Sequence, residues 1–181
     1  MRVLGIDPGS NFLGLGCVEA RGSSFFWVGH QLLRVNPGGE QPLASRLKII
    51  HEGLTLALET WRPDCVAIEE VFFSKNAQSA LKLGQARGAS LVGAATRGLA
   101  IFEYPATTVK QTVTGSGGAE KTQVQRMVRA ILARSLPGES DFEREDVSDA
   151  LAVAICHLQH RHKRQILQPR TAKKAGPAPR V

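Results

Sequence analysis

The sequence predicts an α/β protein. Three strand-like segments separated by turns open the chain, helix-like and strand-like segments alternate after them, and two short apolar runs each end in a carboxylate. At 181 residues, with 43% hydrophobic and 22% charged positions, the chain holds enough apolar material for one core and is short for two typical domains.

Arg2 to Asp7 reads as a short buried strand stopped by the turn-forming Pro8-Gly9-Ser10-Asn11. Residues 13 to 19 and 24 to 34 read as two more strands, paired as a hairpin by a turn at Arg21-Gly22-Ser23. Leu43, Leu47, Ile50, Leu54 and Leu58 recur at helical spacing until Arg62-Pro63 ends the segment, and Cys65 to Ile68 is a fourth strand. Residues 77 to 97 suit a helix and Leu99 to Tyr104 a fifth strand. Val124, Met127, Val128, Ile131 and Leu132 mark an amphipathic helix, and Val147, Leu151, Ile155 and Leu158 the last one.

Composition narrows the class. No apolar stretch approaches the roughly 20 residues a spanning helix needs, and the start runs into a strand, not a signal sequence, so a soluble cytoplasmic protein without membrane contact is expected. Cys17, Cys65 and Cys156 are far apart in apolar surroundings, which suits core residues in a reducing compartment. The formal charge of +7 lies entirely in residues 161 to 181, which hold seven of the 23 basic residues and no acid, leaving 16 basic against 16 acidic side chains in residues 1 to 160. This divides the chain into a folded domain, 1–160, and a basic, Pro-containing disordered tail, 161–181. The tail is either a solvated terminus or a nonspecific phosphate clamp.

The carboxylates carry the chemistry. Asp7 ends the run Val3-Leu4-Gly5-Ile6, and Glu69 ends Cys65-Val66-Ala67-Ile68. Parallel, adjacent strands would place both acids at the carboxyl edge of the sheet, where α/β proteins bind their ligands. Glu69 and Glu70 must point to opposite faces, so only one can join Asp7, and alternation alone does not choose between them. Asp146 and Asp149, spaced i, i+3, project from one face of the last helix. Taken singly, Asp7 reads as a turn residue, Glu69 as a solvated strand end and Asp146 as a complement to the helix dipole. With the last helix packed against the strand edge, the four together would form an oxygen-rich cluster without imidazole that suits Mg²⁺ or Mn²⁺.

These residues resemble the RuvC family of Holliday-junction resolvases. The resemblance rests on Leu4-Gly5-Ile6-Asp7-Pro8-Gly9-Ser10, Ala67-Ile68-Glu69-Glu70-Val71-Phe72, Lys75-Asn76, Ala80 to Gly88, Val109-Lys110-Gln111-Thr112-Val113, Ala119-Glu120-Lys121 and Asp146 to Ala152, in family order. It implies a ribonuclease H-like fold, a five-stranded mixed sheet flanked by helices, and a homodimer that places paired symmetric nicks in four-way junction DNA. It selects Glu69 and implies that Asp7, Glu69, Asp146 and Asp149 are catalytic and hold two Mg²⁺ ions, with Asp7 between them and Mn²⁺ able to substitute. It implies that Lys110 and Lys121 act near the scissile phosphate, that Phe72 stacks on an unpaired base, and that Lys75 and Asn76 contact DNA. RuvA and RuvB, the branch-migration proteins, are the implied partners. The small residues Gly84, Ala86, Gly88, Ala89, Gly93 and Ala94 let another backbone approach the helix of residues 77–97, and the resemblance favours a twofold-related helix over the chain's own sheet. His157, His160 and His162 run off the end of the last helix into the tail and are not expected to bind zinc.

Three rival readings are a sugar-kinase or actin-type phosphotransferase, a noncatalytic nucleic-acid-binding module, and a nuclease for RNA or RNA–DNA hybrid. The first needs a second such domain and a second phosphate loop, for which the chain has no length. The second would be favoured had any of the four acids been apolar. Only the junction-specific motifs speak against the third.

Overall fold

The computed structural model describes residues 1–39, 41–70, 76–137 and 144–167. Along the chain these form β1 (Arg2–Asp7), β2 (Phe12–Arg21), β3 (Ser24–Arg34), α1 (Leu43–Trp61), β4 (Cys65–Glu70), α2 (Ala77–Ala95), β5 (Ala100–Pro105), α3 (Ala106–Thr114), α4 (Lys121–Leu132) and α5 (Glu145–Leu167). The five expected strands make one mixed sheet in the order β3-β2-β1-β4-β5. The β1–β2–β3 meander is antiparallel, whereas β1, β4 and β5 run parallel. The crossovers joining these parallel strands carry the hairpin and α1, then α2.

Alternation of side chains divides the core in two. Leu4, Ile6, Leu13, Leu15, Val66 and Ile68 pack with α1 and α2 on one face. On the other, Val3, Val18, Cys65 and Ala67 pack with α3, α4 and α5. Within α5 every residue from Ala150 to Cys156 is buried. A helix that is apolar on all sides must be enclosed, and this one lies between the sheet and the α3–α4 pair.

The seat of α5 is made of glycine. A Cβ on Gly5 of β1 would collide with the Ala150 carbonyl oxygen, and one on Gly14 of β2 with the Asp146 carbonyl oxygen. At Gly16 a Cβ would stand 2.7 Å from Leu151 Cγ and 2.9 Å from the Leu151 nitrogen. Helix backbone therefore rests directly on strand backbone, and α5 cannot be raised without uncovering the core.

Several local features depart from the sequence pattern. Helix α3 was not expected, because its Thr and Val residues favour strands. It is held by burial of Val109 and Val113 and closed by Gly115, whose φ of 83° lets its N–H reach the Gln111 carbonyl at 3.0 Å. In α1 the expected stripe is displaced at its start: Leu43 is exposed, and the first buried position belongs to Arg46. Helix α5 runs to Leu167, beyond the point where the basic tail was expected to begin. Arg161 and Lys163 are good helix formers and do not interrupt it. His157 does not run off a helix end; it is buried, its Nδ1 sharing a 2.8 Å hydrogen bond with the Tyr104 hydroxyl. His160 Nε2 meets Thr112 Oγ1 at 3.2 Å. The three cysteines are buried and free, as expected.

Gly14→Ala is expected to lower the free energy of unfolding by about 3 kcal/mol or more, because the added methyl meets backbone that cannot yield. Gly118→Ala, where a Cβ meets nothing, should stay within about 0.5 kcal/mol. Urea denaturation of both variants checks this, and equal stabilities would contradict the glycine seat.

Candidate active site

The sheet register builds the site. Asp7 pairs with Gly14 across β1 and β2, and Glu69 pairs with Tyr104 across β4 and β5. Because Ile6 pairs with Ile68, Asp7 and Glu69 stand side by side one position further along. Asp7 continues the series of Val3 and Glu69 that of Cys65 and Ala67, so both face α5. Glu70 continues Val66 and Ile68 and faces α1 and α2. Gly14 lets the first turn of α5 settle over this row, which brings Asp149 to the two strand acids.

Asp7, Glu69, Asp149, Lys110 and Lys121 line one pocket of about 240 Å³, with Val109 and Val124 among its apolar walls. Lys110 comes from α3 and Lys121 is the first residue of α4. The Lys121 Nζ lies 3.7 Å from Asp149 Oδ2 and 3.3 Å from Glu145 Oε2. Nothing in the spacing of Glu145 from Lys121 along the chain signals this partner.

Asp146 stands apart from the pocket lining. Its Oδ2 accepts a hydrogen bond from Arg144 Nε at 3.0 Å, and the Arg144 guanidinium lies 3.9 Å from the centre of the Phe12 ring. The Asn76 side chain caps α2 by accepting from Gln78 N at 2.9 Å and Ser79 N at 3.2 Å. Phe72 and Lys75 lie outside the described residues.

The acids are held under electrostatic tension. Burial, then the charges of Asp149, Glu69 and Asp146, lifts Asp7 well above the usual carboxylate range, with Lys121 opposing. Burial and Asp149 push Glu69 up to about 7 against Lys121 and Lys110. Asp149 is raised by burial, opposed by Lys121 and helped by Asp146 and Glu145. Lys121, though burial works against its charge, is raised by Asp149, Glu145 and Asp7. Clustered, partly desolvated carboxylates of this kind call for a compensating cation.

The donor chemistry fits a hard divalent ion: all oxygen, no thiolate and no imidazole. Among the described residues, no group of three His, Cys, Asp or Glu side chains is gathered closely enough to hold one ion. Asp146 is engaged by Arg144 and Asp149 by Lys121, so binding requires at least these side chains to change partners.

Comparison with known proteins finds relatives of both the sequence and the fold. The profile described as "Crossover junction endodeoxyribonuclease RuvC" matches residues 3–157. The enzyme of that name from Pelobacter propionicus is 51% identical over 162 residues, 90% of this chain and 88% of its own length. Thermus thermophilus RuvC, solved in complex with a Holliday junction substrate, superposes with a TM-score of 0.80 at 35% identity, covering 90% of this chain and 96% of that one. The yeast mitochondrial Holliday junction resolvase Ydc2, at 14% identity, shares the fold with a TM-score of 0.64 over 91% of this chain and 83% of its own.

The electrostatic tension has a measurable sign. For Glu69 the folded state holds a proton that the unfolded chain releases near 4.5, so stability is greatest below that pH and is lost as pH rises through about 7. In chelator, Glu69→Gln is expected to flatten the decline between these limits and to be more stable than wild type at pH 8. Urea titrations across this range check it, and an unchanged slope would contradict the assignment.

Proposed function

Because the chain belongs to the RuvC family of crossover junction endodeoxyribonucleases and has their ribonuclease H-like fold, we propose that its carboxylate pocket hydrolyses phosphodiesters at four-way DNA junctions. The chain is a nuclease of a divalent-metal-dependent family. The observation that carries the reading is the convergence of Asp7, Glu69 and Asp149 with Lys110 and Lys121 on one pocket at the ends of β1 and β4.

In this reading Asp7, Glu69, Asp149 and Asp146 hold Mg²⁺, with Mn²⁺ able to substitute. When bound, such ions activate the attacking water and stabilise the leaving oxygen. Asp7 and Glu69, fixed by strand register, define where the scissile phosphate must lie. Lys110 and Lys121 face it from α3 and α4, where anchored ammonium groups stabilise negative charge as it develops. Lys121 exchanges its contact with Asp149 for the substrate, and Arg144 releases Asp146. The products are a 5′-phosphate and a 3′-hydroxyl. Phe72, Lys75 and Asn76, which follow Glu69 closely in the chain, meet the DNA at the crossover.

Paired nicks need two pockets, and α2 supports a twofold contact. Gly84 and Gly88 have open space above them, with Leu81 and Val92, each 62% exposed, on the same side of the helix. Gly93, by contrast, meets Leu54 of α1. We propose that the outer face of α2 joins two copies of the chain, and that RuvA and RuvB deliver the junction to the dimer.

A synthetic mobile four-way junction, a linear duplex and an RNA–DNA hybrid, each with Mg²⁺, Mn²⁺ or chelator, test the function. Paired symmetric nicks in the junction alone are expected, abolished by chelator and by Asp7→Asn, with Lys121→Ala losing about 10²-fold or more in rate. Preferential cleavage of hybrid would overturn the substrate, and retained cleavage by Asp7→Asn would overturn the site. Light scattering at assay concentration should give the mass of two chains, and of one chain for Leu81→Arg. A single-chain mass for wild type would contradict the α2 dimer.

A further inference from the structure

We infer that Arg46 is a positioning residue for the nuclease reaction: its buried guanidinium fixes the loop that leaves Asp7, and through that loop the place of Asp7 at the end of β1. The inference rests on the function proposed above and adds a residue acting from the opposite side of the sheet. Arg46 heads the buried stripe of α1 that continues through Ile50, Leu54, Ala57 and Leu58, and it is only 7% exposed. Every other member of that stripe is apolar, so leucine or methionine would satisfy the packing pattern. Burying a guanidinium is costly unless its donors are met.

Its donors are met only in part. Nη2 donates to the Ser10 carbonyl oxygen at 2.9 Å. Nε is buried without an acceptor among the described residues. An apolar side chain in this place would avoid the cost of burying a guanidinium. The bond to Ser10 therefore does something that packing does not require.

The segment it grips is otherwise pinned at one end. The Asn11 carbonyl accepts from Val35 N at 2.9 Å and Asn36 N at 3.2 Å, and Asn36 Nδ2 donates to Asn11 Oδ1 at 3.1 Å. These bonds fix Asn11 to the exit of β3, while Arg46 fixes Ser10 to α1. A Cβ at Gly9 would collide with the Phe12 carbonyl oxygen, so the turn between these points is tight. Asp7 enters this clamped loop one residue before Pro8 and faces α5, whereas Arg46 acts from the α1 side. The guanidinium thus reaches the carboxylate through three residues of backbone, not as a counter-charge. Displacement of a reacting group by about 1 Å can cost roughly a hundredfold in rate.

Full-length wild type, Arg46→Met and Arg46→Lys, assayed on the synthetic junction with Mg²⁺, test the inference. Methionine keeps the packing and removes the donor, while lysine retains one donor for Ser10. Arg46→Met is expected to melt no lower than wild type and to bind the junction with a Kd within about twofold. Its cleavage rate at saturating protein should fall about ten- to a hundredfold, with Arg46→Lys recovering most of the loss. A wild-type rate in Arg46→Met would overturn the inference. So would a weakened Kd with an unchanged saturated rate, which would make Arg46 a DNA contact, or equal losses in the two variants. If Arg46→Met does not fold, Arg46→Gln takes its place under the same criteria. Failure of wild type to cut the junction would overturn the functional reading and this inference with it.

Discussion

The contact on which the rest of the molecule depends is backbone against backbone, where α5 lies in a trough floored by Gly5, Gly14 and Gly16. Depth is what matters here. An alanine at any of these positions would meet α5 directly, and the start of α5 carries Asp146 in its first turn and Asp149 just after it. The same seat buries Ala150 to Cys156, so core packing and assembly of the candidate site are one arrangement. Strand register then needs to supply only two acids, and it does so by pairing the ends of β1 and β4.

That arrangement works against stability in one region. Burial and mutual repulsion raise Asp7, Glu69 and Asp149 together, and Lys121 relieves them only in part. The proposed function needs the acids together, whereas folding would favour them apart. The tension is contained because the elements that bear the acids are held elsewhere: β1 and β4 by the central sheet, α5 by its enclosure between layers. Arg46 extends the same logic to the loop beyond Asp7, where a buried charge is kept for geometry at some cost to packing.

Much of this could be read from residue order, because it depends on period and termination. The meander, the alternation of α1, β4, α2 and β5, and the placement of Asp7 and Glu69 at strand ends follow from apolar runs bounded by turn residues. Which of Glu69 and Glu70 stands beside Asp7 could not be read from alternation alone: Cys65 and Ala67 face α5, and Glu69 shares their side of the strand and lines the pocket. Helix α3 was hidden because β-branched residues obscure local preference, and only packing of Val109 and Val113 rescues it. Arg46 was passed over because a stripe of leucines implied a different first turn for α1. His157 was misplaced because the basic residues after it suggested a tail, while its own environment of Tyr104, Phe102 and Cys65 is set by residues distant in the chain. Partnerships such as Lys121 with Glu145 and Arg144 with Phe12 arise from tertiary proximity and have no signature in spacing.

The central claim is that the glycine-seated helix and the two strand ends together form a metal-dependent nuclease centre. Anomalous diffraction from crystals of the chain soaked in Mn²⁺ tests this most directly, because it locates the ions irrespective of turnover. The account predicts peaks in the pocket, bonded to Asp7 and to at least two of Glu69, Asp146 and Asp149, with Arg144 moved off Asp146 wherever Asp146 is a ligand. Strong peaks elsewhere on the molecule, with the four carboxylates bare at saturating Mn²⁺, would contradict it.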